Sequence, residues 1–305
     1  MDTTPPTATA TALPAPNGAG WNNTDVTVSF SGTDPGGSGV ASCSAAVVLS
    51  AEGAGQSESG TCTDNAGNTS APASATDINI DKTAPSVSLA DHEVLSTVPL
   101  AVNYPAPVVT DALDAGPAVV CVPASGSMFA LGDTLVTCTA TDQAGNAEQD
   151  MAVVSVLTTD AVIEDVQGEI DDLLAAGGLS NKAVNKLGKA QDKLNDALDE
   201  LAEDPPDVKK ALQRISDAVK QLSKAGDAGA DVDALIDLLV EMARVQAQDA
   251  IDTAIATPGA NASRIAKAEA EMAKALDDLD PSDFDPDKAI DHYAKAWQHA
   301  HKALP

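Results

Sequence analysis

A strand-and-turn motif occurs twice in the first half of the sequence, as Cys62-Thr63-Asp64-Asn65-Ala66-Gly67-Asn68 and as Cys138-Thr139-Ala140-Thr141-Asp142-Gln143-Ala144-Gly145-Asn146. In such a turn the aspartate side chain can accept hydrogen bonds from the backbone, and the glycine three residues later supplies a positive φ. A second repeat precedes each copy, because Asp2-Thr3-Thr4-Pro5-Pro6-Thr7 recurs 79 residues later as Asp81-Lys82-Thr83-Ala84-Pro85-Ser86. Two landmarks in the same order predict two copies of one architecture.

Short alternating runs predict that this architecture is built from β-strands. Apolar and polar residues alternate in Val26–Phe30, Ile78–Ile80 and Val153–Val156, and Gly, Pro and Asn turns separate such runs. Runs of this kind without a helical period are typical of β-sandwiches. We therefore expect two sandwich domains, at residues 1–82 and 83–158.

The four cysteines fall two in each predicted β domain, Cys43 and Cys62 in the first and Cys121 and Cys138 in the second. Four cysteines allow three pairings, and independent folding of the domains favours 43–62 and 121–138. A zinc site is the competing interpretation, although the usual CxxC spacing is absent. Disulfides would indicate an oxidising compartment.

The second domain resembles the hyalin repeat (HYR) domain. The positions that carry the resemblance are Tyr104, Pro107, Asp111, Cys121 to Phe129, Gly132 to Thr134, Val136 to Asp142, Gly145-Asn146 and Val154 to Val156. The chain lacks the family's cysteines before Pro99 and after Asn146, so a second disulfide is not available. The first domain is similar to bacterial immunoglobulin-like repeats, through its opening Thr-x-Pro-Pro and Gly20 to Asn23. These resemblances imply an immunoglobulin-like fold used for adhesion or spacing.

From Thr159 onward the sequence becomes rich in Ala, Leu, Asp and Lys with a helical period, and breakers divide it into six helices. The first is expected near 160–176, Ser180 should cap the second, and Asp285-Pro286 should begin the last. Large apolar residues predict the buried faces, including Val184 on the second helix and Leu276 on the fifth. Short connections favour an antiparallel bundle over residues 159–305.

Part of the predicted bundle resembles the FIMAH domain of secreted bacterial proteins, and two further helices follow it. The resemblance covers residues 163–255 and is carried by Leu173 to Gly178, Leu194 to Ala197, Ile215 to Val219 and Leu235-Ile236. Arg214 stands where the family has an aromatic residue.

The charge of the chain limits its partners. The formal net charge is −29, and residues 1–160 contain a single cation, Lys82, against 17 acids. A surface this negative repels phosphate backbones, so we expect no nucleic-acid partner, and anionic membrane surfaces are disfavoured for the same reason. Solubility of an exported protein accounts for this charge, and binding of divalent cations is the alternative. No apolar run approaches the roughly 18 residues of a membrane span. A signal peptide is expected outside this chain.

The sequence offers few candidates for a catalytic or metal-binding site. No nucleophile elbow, P-loop, HExxH or EF-hand motif occurs, so we predict no enzyme activity. His292, His299 and His301 could suggest a metal site, but they are expected on a solvated helix face. The exception is a predicted calcium site at the domain joint, because Asp77, Asp81, Asp111 and Asp142 offer hard oxygen ligands. We expect no other cofactor.

The sequence favours a structural or adhesive function over catalysis. In this hypothesis the chain is a fragment of a secreted or cell-surface protein, with the β domains as a stalk and the bundle as a terminal interaction module. Its partners would be another protein or a glycan at the cell surface, or neighbouring repeats of the same protein. The alternative is an accessory region, possibly carbohydrate-binding in character, of a larger secreted hydrolase.

Overall fold

A computed structural model describes residues 2–305 and shows a β-rich N-terminal region followed by six helices. The predicted order, β first and all-α second, is confirmed. Over the described part of the chain the strands are β1 (Thr7–Leu13), β2 (Trp21–Asn22), β3 (Val26–Thr33), β4 (Val40–Cys43), β5 (Val47–Leu49), β6 (Gly53–Gly60), β7 (Cys62–Asp64), β8 (Ala73–Ile80), β9 (Ser86–Ser88), β10 (His92–Leu95), β11 (Leu100–Ala101), β12 (Val108–Thr110), β13 (Ala118–Val122), β14 (Met128–Phe129), β15 (Gly132–Thr141) and β16 (Ala147–Leu157). The helices are α1 (Thr159–Ala176), α2 (Asn181–Leu201), α3 (Val208–Gly226), α4 (Asp233–Ala256), α5 (Ala262–Asp277) and α6 (Pro286–His301).

The chain divides into two compact units. The first takes the chain up to Ala90, together with Tyr104–Ser125 and Leu135–Val153. The second consists of Asp91–Asn103, Gly126–Thr134 and Val154–Pro305, and it therefore contains all six helices.

The first β region, β1 to β8, is built around two strands that supply its core. Strand β3 lies between β1 and β5, and β8 lies between β2 and β6, while β4 pairs with β7. Val26 and Val28 of β3 form one buried cluster with Ile78 and Ile80 of β8. The alternation predicted for these strands is confirmed, and residues from two different sheets meet in a single core.

The second β region, β9 to β16, contains a four-stranded sheet in the order β10-β16-β15-β13. Two shorter pairs accompany it, β9 with β12 and β11 with β14. Strands β13 and β15 are antiparallel, and alternate residues of β15 are buried, among them Val136, Cys138 and Ala140. This alternation is the pattern of a strand with one face in a core.

Both predicted disulfides form, and each joins residues that lie opposite one another on paired strands. Cys43 of β4 is bonded to Cys62 of β7, and Cys121 of β13 is bonded to Cys138 of β15. Among residues 2–305 no cysteine is left free. Each β region therefore carries its own covalent cross-link, which constrains the unfolded chain more than the folded one.

The helices begin and end at the predicted signals. The Ser180 side chain accepts a hydrogen bond from the Ala183 N–H, and the Asp285 side chain accepts one from the Lys288 N–H. Helix α1 ends at Gly177, which has a positive φ of 71°. Within residues 2–305, none of the helices combines the length and the apolar character that a membrane crossing requires.

The predicted helix faces were wrong at two positions. Val184 of α2 is 44% exposed and Leu276 of α5 is 60% exposed. On α2 the predicted Leu187 and Leu194 are buried, together with alanines spaced seven residues apart, Ala183, Ala190 and Ala197, and on α5 the buried residues are Ala268 and Ala275. A small side chain lets two helix backbones approach closely, so a face rich in alanine can be the buried one even where a larger residue is available nearby.

Candidate calcium site

Three of the predicted aspartates lie together at strand ends within the first compact unit. Asp81 follows β8, Asp111 follows β12 and Asp142 follows β15. One carboxylate oxygen from each lies within 4.8 Å of the other two. The pairing of strands in the fold thus brings together side chains that are separated by tens of residues in the sequence.

The Asp142 turn is held by Asn146. Asp142 Oδ1 accepts hydrogen bonds from the N–H groups of Gly145 (2.7 Å) and Asn146 (2.8 Å), as the motif predicted. The Asn146 side-chain amide donates to Asp142 Oδ2 at 2.8 Å and to the carbonyl of Asp81 at 2.9 Å. A single amide therefore connects two members of the cluster.

Asp81 and Asp111 use one oxygen each to accept backbone hydrogen bonds. Asp81 Oδ1 accepts from the Thr83 N–H at 3.1 Å. Asp111 Oδ1 accepts from the N–H groups of Leu113 (2.8 Å) and Asp114 (2.7 Å). Asp111 Oδ2, by contrast, is buried and has no hydrogen-bond donor. A buried carboxylate oxygen without a donor carries a desolvation penalty that a bound cation would remove.

The electrostatics of the cluster favour a cation. Asp81 is 3% exposed and Asp142 is 7% exposed. Burial raises the pKa of the Asp81 carboxyl above its ordinary value, and the charges of Asp111, Asp142 and Glu52 raise it further. The neighbouring cation, Lys82, forms its ion pair elsewhere, with Asp25 at 2.8 Å. Carboxylate and backbone oxygens with no nitrogen or sulfur ligand are the donor set that calcium prefers.

Asp77, the fourth aspartate of the predicted site, is not part of the cluster. It is exposed, and its Oδ2 accepts a hydrogen bond from the hydroxyl of Thr76 at 3.0 Å. Its backbone has a positive φ of 58°. Asp77 lies four residues before Asp81, and it is placed on β8 itself, before the end of the strand at which Asp81 is found.

The first β region contains an equivalent cluster, formed by Asp2, Asp34 and Asp64. Asn68 connects it as Asn146 connects the other: its amide donates to Asp64 Oδ2 at 2.8 Å and to the carbonyl of Asp2 at 3.3 Å. We did not predict this cluster. The two repeated motifs could have revealed it, because Asp2 corresponds to Asp81 in one and Asp64 to Asp142 in the other.

The two clusters differ in burial. Asp64 is 2% exposed, whereas Asp2 and Asp34 are only half-buried. Their second oxygens also have donors, since Asp2 Oδ2 accepts from the Ser38 N–H and Asp34 Oδ2 accepts from the Gly39 N–H. The first cluster thus satisfies its carboxylates without a cation, and it carries no metal proposal.

The histidine interpretation needs a correction. His292 does not lie on a solvated face, because its Nδ1 is 2.6 Å from Glu271 Oε2 and its Nε2 is 3.5 Å from Asp278 Oδ2. The side chain is 15% exposed. The reason is that α6 packs on α5, which places the imidazole against the two carboxylates. His301 stacks on Trp297 with ring centroids 5.0 Å apart.

The sequence of the second β region matches a known domain family. Residues 80–157 match the HYR domain family. This match confirms the resemblance drawn from the sequence, and it shifts the start of the module to include Asp81. The HYR region is typical of extracellular proteins of the adhesion type. A comparison with curated proteins finds no match.

Within the HYR region, the candidate site uses one residue from each end and one from the middle. Asp81 opens the region, Asp111 lies between β12 and β13, and Asp142 precedes the final strand, β16. A cation bound by all three would therefore connect parts of the module that are far apart in sequence.

Proposed function

We propose that this chain is a non-catalytic segment of a secreted or cell-surface modular protein. The two β regions act as tandem immunoglobulin-like sandwiches that form a stalk, and the helices form a terminal interaction module of the FIMAH type. The HYR match, the two cross-strand disulfides and the repeated Asp–Asn turn support this proposal. In the first β region, the core shared by β3 and β8 supports a sandwich.

We further propose that calcium binds to Asp81, Asp111 and Asp142 and stiffens the joint between the two β regions. The buried, unpartnered Oδ2 of Asp111 carries this proposal. Within the first compact unit, hydrogen bonds between the two β regions lie next to the site. The Asn17 side chain donates to the carbonyl of Gln143 at 2.7 Å, and the Asp81 N–H donates to the carbonyl of Asn22 at 2.9 Å.

Thermal unfolding with and without calcium tests the site. We expect millimolar calcium to raise the Tm of the full chain and a chelator to reverse the rise, because the ion binds the folded state only. Asp111→Asn should abolish most of the rise, since the amide still accepts the two backbone hydrogen bonds but replaces a charged ligand. In chelator, D111N should be at least as stable as the wild type, because repulsion in the cluster is reduced.

Asp77→Asn is the matched control for this experiment. Like D111N, it removes one negative charge, but from an exposed aspartate that lies outside the cluster. It should therefore leave the calcium response of the Tm unchanged. Equal responses of D111N and wild type would contradict the site, as would the absence of any response in the wild type.

The non-catalytic part of the proposal predicts that the full chain does not turn over substrates in broad hydrolase assays. Turnover that persists after purification to homogeneity would contradict it.

A further inference from the structure

A group of lysines lies close together on α2 and α3. Lys182, Lys186 and Lys189 follow one another on α2 at intervals of four and three residues, so they share one face of the helix. Lys186 Nζ donates to Gln221 Oε1 of α3 at 3.2 Å. Lys224, one turn beyond Gln221, therefore lies beside the same face. We call these four residues the lysine patch.

The lysine patch has no carboxylate partners. None of the ion pairs found over residues 2–305 involves Lys182, Lys186, Lys189 or Lys224. Other lysines of the helices are paired, for example Lys193 with Asp196 at 2.7 Å. Residues 173–191 contain three lysines and no acid, in a chain with a net charge of −29. The patch is thus a concentration of positive charge on an acidic protein.

Two further observations show that the positive electrostatic potential is concentrated at the lysine patch. Burial lowers the pKa of the Lys186 ammonium below its ordinary value, and the charges of Lys189, Lys224 and Lys182 lower it further. The patch also begins at the first turn of α2, which contains no acidic residue. The positive end of the helix dipole adds to the lysine charges there.

We propose that the lysine patch binds an acidic polysaccharide, recognised through its carboxylate or sulfate groups. Lys182 and Lys189 are separated by seven residues, or about 10 Å along the helix axis. This length is close to the Debye length of about 8 Å at physiological salt. A narrow polyanion can contact the lysine patch without contacting the acidic residues around it. A broad acidic surface would also contact those acidic residues and be repelled by them.

The composition of the two helices favours a polysaccharide over a nucleic acid. Neither α2 nor α3 contains an aromatic residue, so there is no platform on which bases or neutral sugars could stack. Lysine ammonium groups supply charge and hydrogen-bond donors without selecting a base. The choice of an extracellular polyanion rests on the proposed extracellular function, but the binding itself is independent of the calcium site.

Binding of the full chain to heparin and to polygalacturonate tests the proposal, with chelator present so that calcium cannot bridge protein and ligand. The first probe carries sulfates and carboxylates and the second carries carboxylates only. The test variant is K182Q/K186Q/K189Q, and the control R264Q/K267Q/K295Q removes the same charge from exposed positions on α5 and α6. We expect the test variant to bind at least about tenfold more weakly at low salt, and the control to bind like the wild type.

Equal binding by the two variants would overturn the proposal, as would failure of the wild type to bind either probe. Tighter binding of single-stranded DNA than of both polysaccharides would replace the ligand class. Self-association of the wild type that the test variant loses would identify a second copy as the occupant. These outcomes leave the calcium response of the Tm unaffected, so a failure here is distinguishable from a failure of the proposed function.

Discussion

Asn146 connects two members of the candidate site, Asp81 and Asp142. Its amide donates to the side chain of Asp142 and to the carbonyl of Asp81, so it fixes the turn and the start of the HYR region together. Asn68 makes the corresponding bonds in the first β region. The sequence motif contained both asparagines, but a side-chain amide that bridges two segments can be recognised only when the folded positions are known.

Asn146→Ala should lower the free energy of unfolding of the β regions by about 1–2 kcal/mol, because it leaves a buried carboxylate oxygen and a carbonyl without donors. Gln149→Ala is the control, since Gln149 is exposed and makes a single side-chain bond, to Thr139 at 2.9 Å. Calorimetry measures both, with circular dichroism following the helices separately. A smaller loss for N146A than for Q149A would contradict this function of Asn146.

Asp81 gives the site a pH dependence whose sign can be stated. Its folded pKa lies above the unfolded value of 3.8. Between these two values the native state binds more protons than the unfolded state, so the contribution of Asp81 to stability falls as the pH rises through this window. Above the folded pKa, that contribution is lost.

Asp81→Asn removes this ionisation and keeps an acceptor for the Thr83 N–H. In chelator, we expect the stability of D81N relative to the wild type to increase as the pH rises from below 3.8 toward neutrality. Thermal unfolding of the two proteins across that range measures the difference. A difference that does not change with pH would show that the Asp81 carboxyl is not perturbed by its surroundings.

At the scale of single residues, the sequence predicted Asp81, Asp111 and Asp142 but could not separate them from Asp77. The chemistry of the four side chains is the same, and only the position of Asp77 within β8, rather than after it, removes it from the cluster. Asp34 was not predicted because it lies outside both repeated motifs. Its place in the first cluster follows from its position after β3.

Helical periodicity and local breakers predicted where the helices lie, but not all of the residues that they bury. The six helices, the Ser180 and Asp285 caps and the break at Gly177 were all predicted, because capping and turn chemistry are local. The buried faces were predicted less well, because large apolar residues were taken as their markers. In α2 three alanines are buried beside the predicted Leu187 and Leu194, and in α5 both buried residues are alanines, whose packing depends on the neighbouring helix and not on local sequence.

A larger side chain at a buried alanine should therefore lower the free energy of unfolding more than a larger side chain at Val184, which we expected in the core. Ala190 is fully buried, and Ala190→Leu should destabilise the helical region by about 1–3 kcal/mol through overpacking. Val184→Leu, at a position that is 44% exposed, should change stability by less than about 0.5 kcal/mol. Thermal unfolding followed by circular dichroism compares them. Similar effects for the two would contradict the assignment of the buried face.

For the whole molecule, the change of composition near Thr159 was sufficient to predict a β-rich part followed by helices. The repeat and the cysteine positions were sufficient to predict the two cross-links, since each pair lies within one β region. The sequence predicted that Asp81, Asp111 and Asp142 lie together. The contact of Lys186 with Gln221 of α3, on which the lysine patch depends, was not predictable from one sequence.

The distribution of charge along the chain explains why the candidate calcium site lacks a protein cation. The single cation of residues 1–160, Lys82, is paired with Asp25, so it does not neutralise the three carboxylates of the candidate site. We propose calcium as the source of the positive charge that these carboxylates lack.

A crystal structure of the full chain grown in calcium, with anomalous diffraction used to locate the metal, is the decisive test of the calcium site. We expect one ion about 2.3–2.6 Å from carboxylate oxygens of Asp81, Asp111 and Asp142, with Asp111 Oδ2 among the ligands. An anomalous map without a peak at these three residues would contradict it.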